Sequence, residues 1–427
     1  MIIKHAKRFL SSTSSPRQTV IKNSAWLFAA EGVAKTLRIV LTICIARYLG
    51  PSVYGEYSFA YSFGLLFVIF ADFGFNKLFI REVSRQKEQV KKFLDNISAV
   101  KLLLSVITYV LIVIVIHLLG KPLSTRRLVY LASIWIIMSS FTVFFQSVFQ
   151  AFEQMQYDAL IRIIQPAGFL MMALIVIWQD CGVVALVSVD IVAGIITFAS
   201  VVMVVTKKFV RFGIEFDVGF IKNVLCEAWP FAIMVICGTI YFSIDIMLLS
   251  YFKDDYSVGI YSACVDIYKA AVIPSAIVCT ALFPRLSIKA HIGGEGYTKI
   301  LKKLVILQVL LGSLIAIMIC IFAHHAIMIL YGKGFEESIG YLRVILVLVP
   351  IRYLNFIVGD SLSALNIQRK RMWAIFICMV FNFTTNLYFI PLYGIAGAIG
   401  TTIATECLLA GQYWFYTLKT VQRKRIV

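Results

Sequence analysis

With 427 residues, 60% of them hydrophobic and only 15% charged, and with a mean hydropathy of +0.89, the chain lies outside the range of soluble globular domains. A formal net charge of +18 invites a nucleic-acid reading, but the basic residues cluster between apolar stretches and form no single binding face, so no nucleic-acid partner is expected. The composition describes a polytopic membrane protein.

Residues 1–19 carry Lys4, Lys7, Arg8 and Arg17 without the apolar core of a signal peptide, and read as a cytoplasmic tail with a short surface helix over 2–10 facing anionic lipid. Apolar stretches long enough to cross a hydrocarbon core of about 30 Å then follow at 20–46, 57–79, 98–120, 128–150, 159–178 and 183–205. A basic segment, 206–223, separates them from 224–251, 258–284, 304–325, 338–366, 372–391 and 395–418, and residues 419–427 form a basic tail. The expected fold is all-α, with about twelve transmembrane helices in two six-helix lobes, 20–205 and 224–418, joined by the 206–223 linker. Twenty-seven of the forty Lys and Arg residues fall in the tails, the linker, the loops and the adjoining span ends on one side, six on the other side and seven deeper inside spans. The positive-inside rule places both termini in the cytoplasm.

Short matches recur at a nearly constant offset. "AWLFA" from 25 matches "AWPFA" from 228, "YGEYS" from 54 matches "VGIYS" from 258, "LFIR" from 78 matches "LFPR" from 282, and, more loosely, "CGVVA" from 181 matches "YGIAG" from 393. Their common order points to duplication, and an even number of spans per repeat relates the lobes by an axis along the membrane normal. The nine cysteines form no C-x-x-C pair and the five histidines lack ligand spacing, so neither metal nor cofactor is expected. Loops are short, no phosphate-binding loop is present, and "GIAGAIG" at 394–400 lacks the strand and lysine such loops need. A transporter is expected and not an enzyme.

Charges inside the spans carry the functional reading. Glu31, Lys35 and Arg38 share one helix face, and Lys35, Lys269 and Arg352 fall near mid-membrane, with Arg38 one turn beyond Lys35. A charge facing lipid at the bilayer centre costs at least about 2.5 kcal/mol, so these groups should face protein or water. Lys35, Arg38, Lys269 and Arg352 are therefore candidates to bind an anionic substrate, since a guanidinium grips phosphate through paired hydrogen bonds. Glu31 pairs with Lys35 in the simplest reading. Glu31, Asp245, Asp266 and Glu406 are the candidate ion-coupling carboxylates, Asp245 and Glu406 being the deepest, while Asp266 is also spaced to pair with Lys269. Asp72 and Asp360 read as end-of-span groups pairing with Lys77 or Arg369, and Arg162, Arg343 and Lys101 as interfacial residues. Pro166, Pro230, Pro274 and Pro350 lie inside spans, with Pro274 and Pro350 central enough to act as hinges.

"ARYLGPSVYGEYSFA" after the first span, "DFGF" in the second, "ALFPRLS" at the end of the eighth and "YGIAGAIGTTIAT" at the start of the twelfth resemble the Wzx-type polysaccharide flippases of the MOP exporter superfamily. The resemblance runs over roughly 20–418. It implies two lobes around a V-shaped central cavity, a polyprenyl-diphosphate-linked oligosaccharide as substrate, and a place in the bacterial cytoplasmic membrane beside membrane lipids and other polysaccharide assembly proteins. Undecaprenyl diphosphate would be the carrier, moved by ion-coupled alternating access. A MATE-like drug exporter shares the architecture, but its cationic substrates suit an acidic cavity; a membrane polysaccharide polymerase or ligase would need a long catalytic loop outside the spans.

Overall fold

The computed structural model describes residues 16–292 and 294–426, and among them every regular element is a helix. The expected surface helix over 2–10 lies outside these residues. Helices are what a chain in hydrocarbon must form, because each backbone N–H and C=O has to find its partner within the segment. The elements are α1 (Pro16–Asp72), α2 (Phe75–Arg85), α3 (Val90–Leu118), α4 (Leu123–Ala151), α5 (Met155–Trp178), α6 (Gly182–Lys208) and α7 (Val218–Phe252). They continue as α8 (Asp255–Ile292), α9 (Gly294–Ile321), α10 (Ala323–Leu330), α11 (Ser338–Ile345), α12 (Leu348–Ala364), α13 (Gln368–Tyr393) and α14 (Ile395–Ile426).

Among the described residues nine helices are long and apolar enough to cross a membrane, or ten if the bent pair 235–241 and 243–252 counts as one span. The first of the nine, Ala30–Arg85, holds two of the expected spans. Its long helix α1 would measure about 85 Å at 1.5 Å per residue, and it is broken at Gly50, whose φ of 70° and ψ of 172° are not helical. The last expected span, 395–418, lies in the 32-residue α14, which is not among those nine. Two expected spans are interrupted: 57–79 crosses a break at Phe73 and Gly74, both at positive φ, and 338–366 is split between α11 and α12. Lipid-facing stripes confirm the solvent. On α3, Leu103, Val106, Val110 and Ile114 are exposed at helical spacing, as are Leu307, Leu310, Leu314 and Ile317 on α9.

By contacts the chain divides into two compact units, and the division cuts across the order of the spans. The first unit comprises residues 1–42, 67–114 and 130–232; the second comprises 43–66, 115–129 and 233–427.

The first unit is built on an aromatic core that includes Phe75, Phe79, Phe144, Phe145 and Phe149. Its linker is pinned to α3, where Asp95 accepts from the Gly213 N–H and Asn96 from the Asp217 N–H, both at 2.7 Å. Asp217 then caps α7 by accepting from the Phe220 N–H at 3.0 Å, and that backbone bond lowers its carboxyl pKa. Lys101, expected at the interface, is instead fully buried: its ammonium binds Asp72 and Ser140 and stands 5.4 Å over the Phe141 ring. Asp72 is thereby taken by Lys101 and not by Lys77. The physical reason is that a buried ammonium must find an anion, and α3 brings Lys101 to the end of α1.

The second unit contains an unusually close backbone crossing. A Cβ added to Gly55 would stand 1.6 Å from the Asp255 carbonyl oxygen, and one added to Gly259 would stand 1.9 Å from that of Pro51. Pro51 and Asp255, like Gly55 and Gly259, are 204 residues apart, the offset of the sequence repeat. The two contacts are therefore the same contact made once by each repeat. Around it Tyr54 donates to Asp266, Arg47 donates to the Ile329 carbonyl at 2.6 Å, and Lys121 donates to Ser250 Oγ at 2.7 Å. Burial pushes the Lys121 ammonium pKa down, against the pull of Asp255 and Glu56.

Only glycine fits where two backbones come this near. Gly55→Ala or Gly259→Ala is expected to destabilise the protein by about 1–3 kcal/mol through overpacking. Gly32→Ala, whose Cβ would meet nothing within 4 Å, should leave the melting temperature in detergent unchanged or raised.

Candidate functional site

The charged face of α1 belongs to the first unit. Glu31 pairs with Lys35 at 3.3 Å, one helical turn away, and with Arg162 of α5, also at 3.3 Å. Arg162 holds buried Asp158 as well, at 3.2 Å. Arg162 was expected to reach the membrane surface, but two carboxylates hold it inside the unit, because both lie within reach of one guanidinium. Arg38 is different. It is exposed and has no ion pair among the described residues. Two anions, Glu31 and Asp158, thus meet three cations, Lys35, Arg38 and Arg162, and the unmatched charge is the Arg38 guanidinium.

The second unit holds the other candidates. Arg352 on α12 binds Glu406 on α14 at 2.5 Å and lies 5.2 Å over the Phe356 ring. Glu406, 2% exposed, also accepts from the Tyr241 hydroxyl at 2.5 Å and from Asn355 Nδ2 at 2.6 Å. Arg352 and Glu406 therefore answer each other. Lys269 on α8 is exposed, one turn from half-buried Asp266, which feels its charge and also accepts from Tyr54.

Asp245 on α7 stands apart from these pairs. It is 6% exposed and, among the described residues, is served by neutral donors: Asn386 Nδ2 at 2.6 Å, the Tyr261 hydroxyl at 2.8 Å and the Thr402 hydroxyl at 3.0 Å. No ion pair reaches it among the described residues. Behind it Asn382 binds Asn386 and Thr405, and Thr401 donates to Asn386, so the polar set is knitted from α13 and α14. The local cause is spacing: Asn382 and Asn386 are one turn apart and share a face of α13, as Thr401 and Thr405 share a face of α14. Among the described residues no group of three or more His, Cys, Asp or Glu side chains is placed to hold a metal.

Of the expected hinges, Pro350 sits in the first turn of α12, just after the break that splits that span, where a missing N–H costs nothing. Pro274 lies within the helical run of α8. Arg371, counted in the sequence only among loop basics, lines a cavity of about 220 Å³ together with Arg352, Tyr241, Asn355 and Tyr413. The asparagines, tyrosines and threonines around Asp245 and Glu406 also went unmarked; uncharged polar residues repeating at i and i+4 in apolar spans were their signal.

Taken together, a helical membrane fold with paired and unpaired charges inside its spans defines a multi-pass transporter. The sequence matches the family described as Polysaccharide biosynthesis protein over residues 20–288, and the chain belongs to that family. It also matches the family described as MatE over residues 230–388, and both lie in the MOP superfamily. Two curated proteins, each named "Putative O-antigen transporter", align along most of their length. The one from Escherichia coli (strain K12) is 22% identical, over 91% of this chain and 94% of that protein. The one from Shigella dysenteriae is 24% identical, over 94% of this chain and 100% of that protein. In fold the chain is similar to the lipid II flippase MurJ in an inward closed conformation, at a TM-score of 0.77 and 16% identity, covering 93% of this chain and 89% of that one. An inward-facing multidrug resistance MATE transporter gives a TM-score of 0.70 at 14% identity, covering 92% and 96%.

Breaking the Arg352 pair tests whether it is structural. Glu406→Gln leaves a buried guanidinium uncompensated and is expected to cost about 3–5 kcal/mol. The double change Arg352→Met with Glu406→Leu should recover most of that loss in a thermal melt, because it removes both charges.

Proposed function

We propose that the protein is a flippase that moves a polyprenyl-diphosphate-linked oligosaccharide, on an undecaprenyl carrier, from the inner to the outer leaflet of a bacterial cytoplasmic membrane. The observation that carries this reading is Arg38, an exposed guanidinium without an ion-pair partner among the described residues, on the same helix face as Glu31 and Lys35, which pair with each other. An exposed charge at that depth needs water or a bound anion. A diphosphate supplies the anion, and stripping it of water without counter-charges would cost far more than a transporter can spend. Lys35 beside Arg38, and Lys269 and Arg352 in the second unit, are the further cations of the proposed path. Arg352 is the least available of the four, since Glu406 already holds it.

Ion coupling falls to Asp245. A carboxylate ringed by neutral donors can exchange a proton or a small cation without breaking a salt bridge, which Glu31 and Glu406 cannot do, while Asp266 lies in the field of Lys269 one turn away. With both termini in the cytoplasm, the Gly55–Gly259 crossing falls at the outer face. Pro350, at a break in its span, is the hinge candidate of choice. The basic balance of these groups disfavours a drug exporter for cationic compounds, and the curated relatives are named as transporters and not as enzymes.

Native mass spectrometry of the protein purified from its own host tests the substrate. Wild type should retain a polyprenyl diphosphate glycan, and Arg38→Ala should lose about tenfold or more of it, the value of one charged hydrogen bond. Normal surface polysaccharide from Arg38→Ala at normal expression would rule the assignment out. Asp245→Asn should keep the bound lipid yet abolish its transfer across vesicles that carry an ion gradient; unchanged transfer would move the coupling elsewhere.

A further inference from the structure

The cavity of about 220 Å³ in the second unit is bounded by α7, α12, α13 and α14 and presents two guanidiniums that are not equivalent. Arg352 is fixed to a buried carboxylate, and stripping Glu406 of that partner would leave an uncompensated buried charge. Arg371 is held more loosely. Its Nη1 stands 3.6 Å from Asp360, with the two side chains 32% and 24% exposed, and it donates to Ser363 Oγ at 2.7 Å. A solvated pair at that separation contributes little, so an incoming anion replaces Asp360 at small cost. Arg371 is thus the cation this cavity offers.

Two further features point to what the anion is attached to. Asn355, 4% exposed, lends its Nδ2 to Glu406 twice, to the backbone carbonyl at 3.1 Å and to Oε2 at 2.6 Å. Its Oδ1 is buried and has no donor among the described residues. A buried acceptor without a partner is costly, and a ligand hydroxyl would satisfy it. Gly359, one turn beyond Asn355 on α12, lets two of the lining side chains close in: a Cβ there would stand 3.0 Å from the Tyr413 ring and 3.5 Å from the Arg371 guanidinium carbon.

We propose that this cavity binds a sugar bearing an anionic group, with Arg371 taking the anion, Asn355 Oδ1 accepting a sugar hydroxyl and the Tyr413 ring covering a sugar face. The inference rests on the flippase reading and names a part of its substrate that the α1 cations do not address. The cavity equals the volume of about seven waters at ~30 Å³ each, room for a single sugar and not for an oligosaccharide. Two sources share this chemistry: the sugar phosphate at the lipid end of the glycan, and an acidic sugar within the repeat unit.

Calorimetry on the full chain in nanodiscs, with glucose 1-phosphate, glucuronate, methyl glucoside and inorganic phosphate as probes, tests the site. Wild type should bind one or both sugar acids more tightly than inorganic phosphate, and should not bind methyl glucoside. Arg371→Gln should weaken that binding about tenfold or more, and Arg371→Lys should recover part of it. Binding of glucose 1-phosphate alone assigns the lipid end, glucuronate alone assigns an acidic sugar, and both together assign a site open to either. No binding of either acid, equal binding by Arg371→Gln in a normally melting protein, or inorganic phosphate binding as tightly as the sugar acids would overturn the proposal. If wild type binds no sugar acid yet retains its lipid-linked glycan in the mass spectrometer, only this subsite falls. If it retains no such lipid, the flippase reading falls with it.

Discussion

A charge carried into hydrocarbon must find an opposite charge or water, and the interior of this protein is organised by the different ways its residues meet that demand. Lys101 meets it with Asp72, Arg162 and Lys35 together with Glu31 and Asp158, and Arg352 with Glu406. Each of these is a neutral set that can stay in the membrane through any cycle of transport. Arg38 and Asp245 meet it incompletely, one with no anion and the other with no cation among the described residues. Such incomplete sets are where exchange with something mobile costs least, and they belong to different units.

The neutral sets also explain why a count of intramembrane charges overstates the number of binding groups. Seven basic residues lie deep within expected spans, and four of them, Lys35, Lys101, Arg162 and Arg352, are already paired with carboxylates. Commitment of this kind contributes rigidity more than affinity. A buried pair roughly balances its own desolvation, while the removal of one partner is heavily penalised. The pairs therefore act as fixed points that tie α1 to α5, α1 to α3 and α12 to α14.

How far the sequence reads depends on how local the cause is. Spans, their approximate number and the shared face of Glu31, Lys35 and Arg38 follow from hydropathy and helical spacing, which involve neighbours a few residues apart. Partners far apart in the chain were not legible: Asp72 finds Lys101 29 residues on, and Arg352 finds Glu406 54 residues on. Arg371 was hidden for another reason, since a basic residue next to a span boundary counts toward orientation whether its side chain turns to water or back into a cavity. The breaks at Gly50, at Phe73 and Gly74, and between α11 and α12 were invisible to a hydropathy window, which averages over the residues that end a helix.

The crossing at Gly55 and Gly259 records the duplication in a form that side chains elsewhere have lost. Each repeat supplies both a glycine and the backbone carbonyl that the other repeat's glycine must clear, so the two copies constrain each other at these positions while the remainder of the sequence is free to diverge. Drift at one copy is felt at once by its twin. The likeness of "YGEYS" to "VGIYS" is then a mark of present contact as much as of common ancestry.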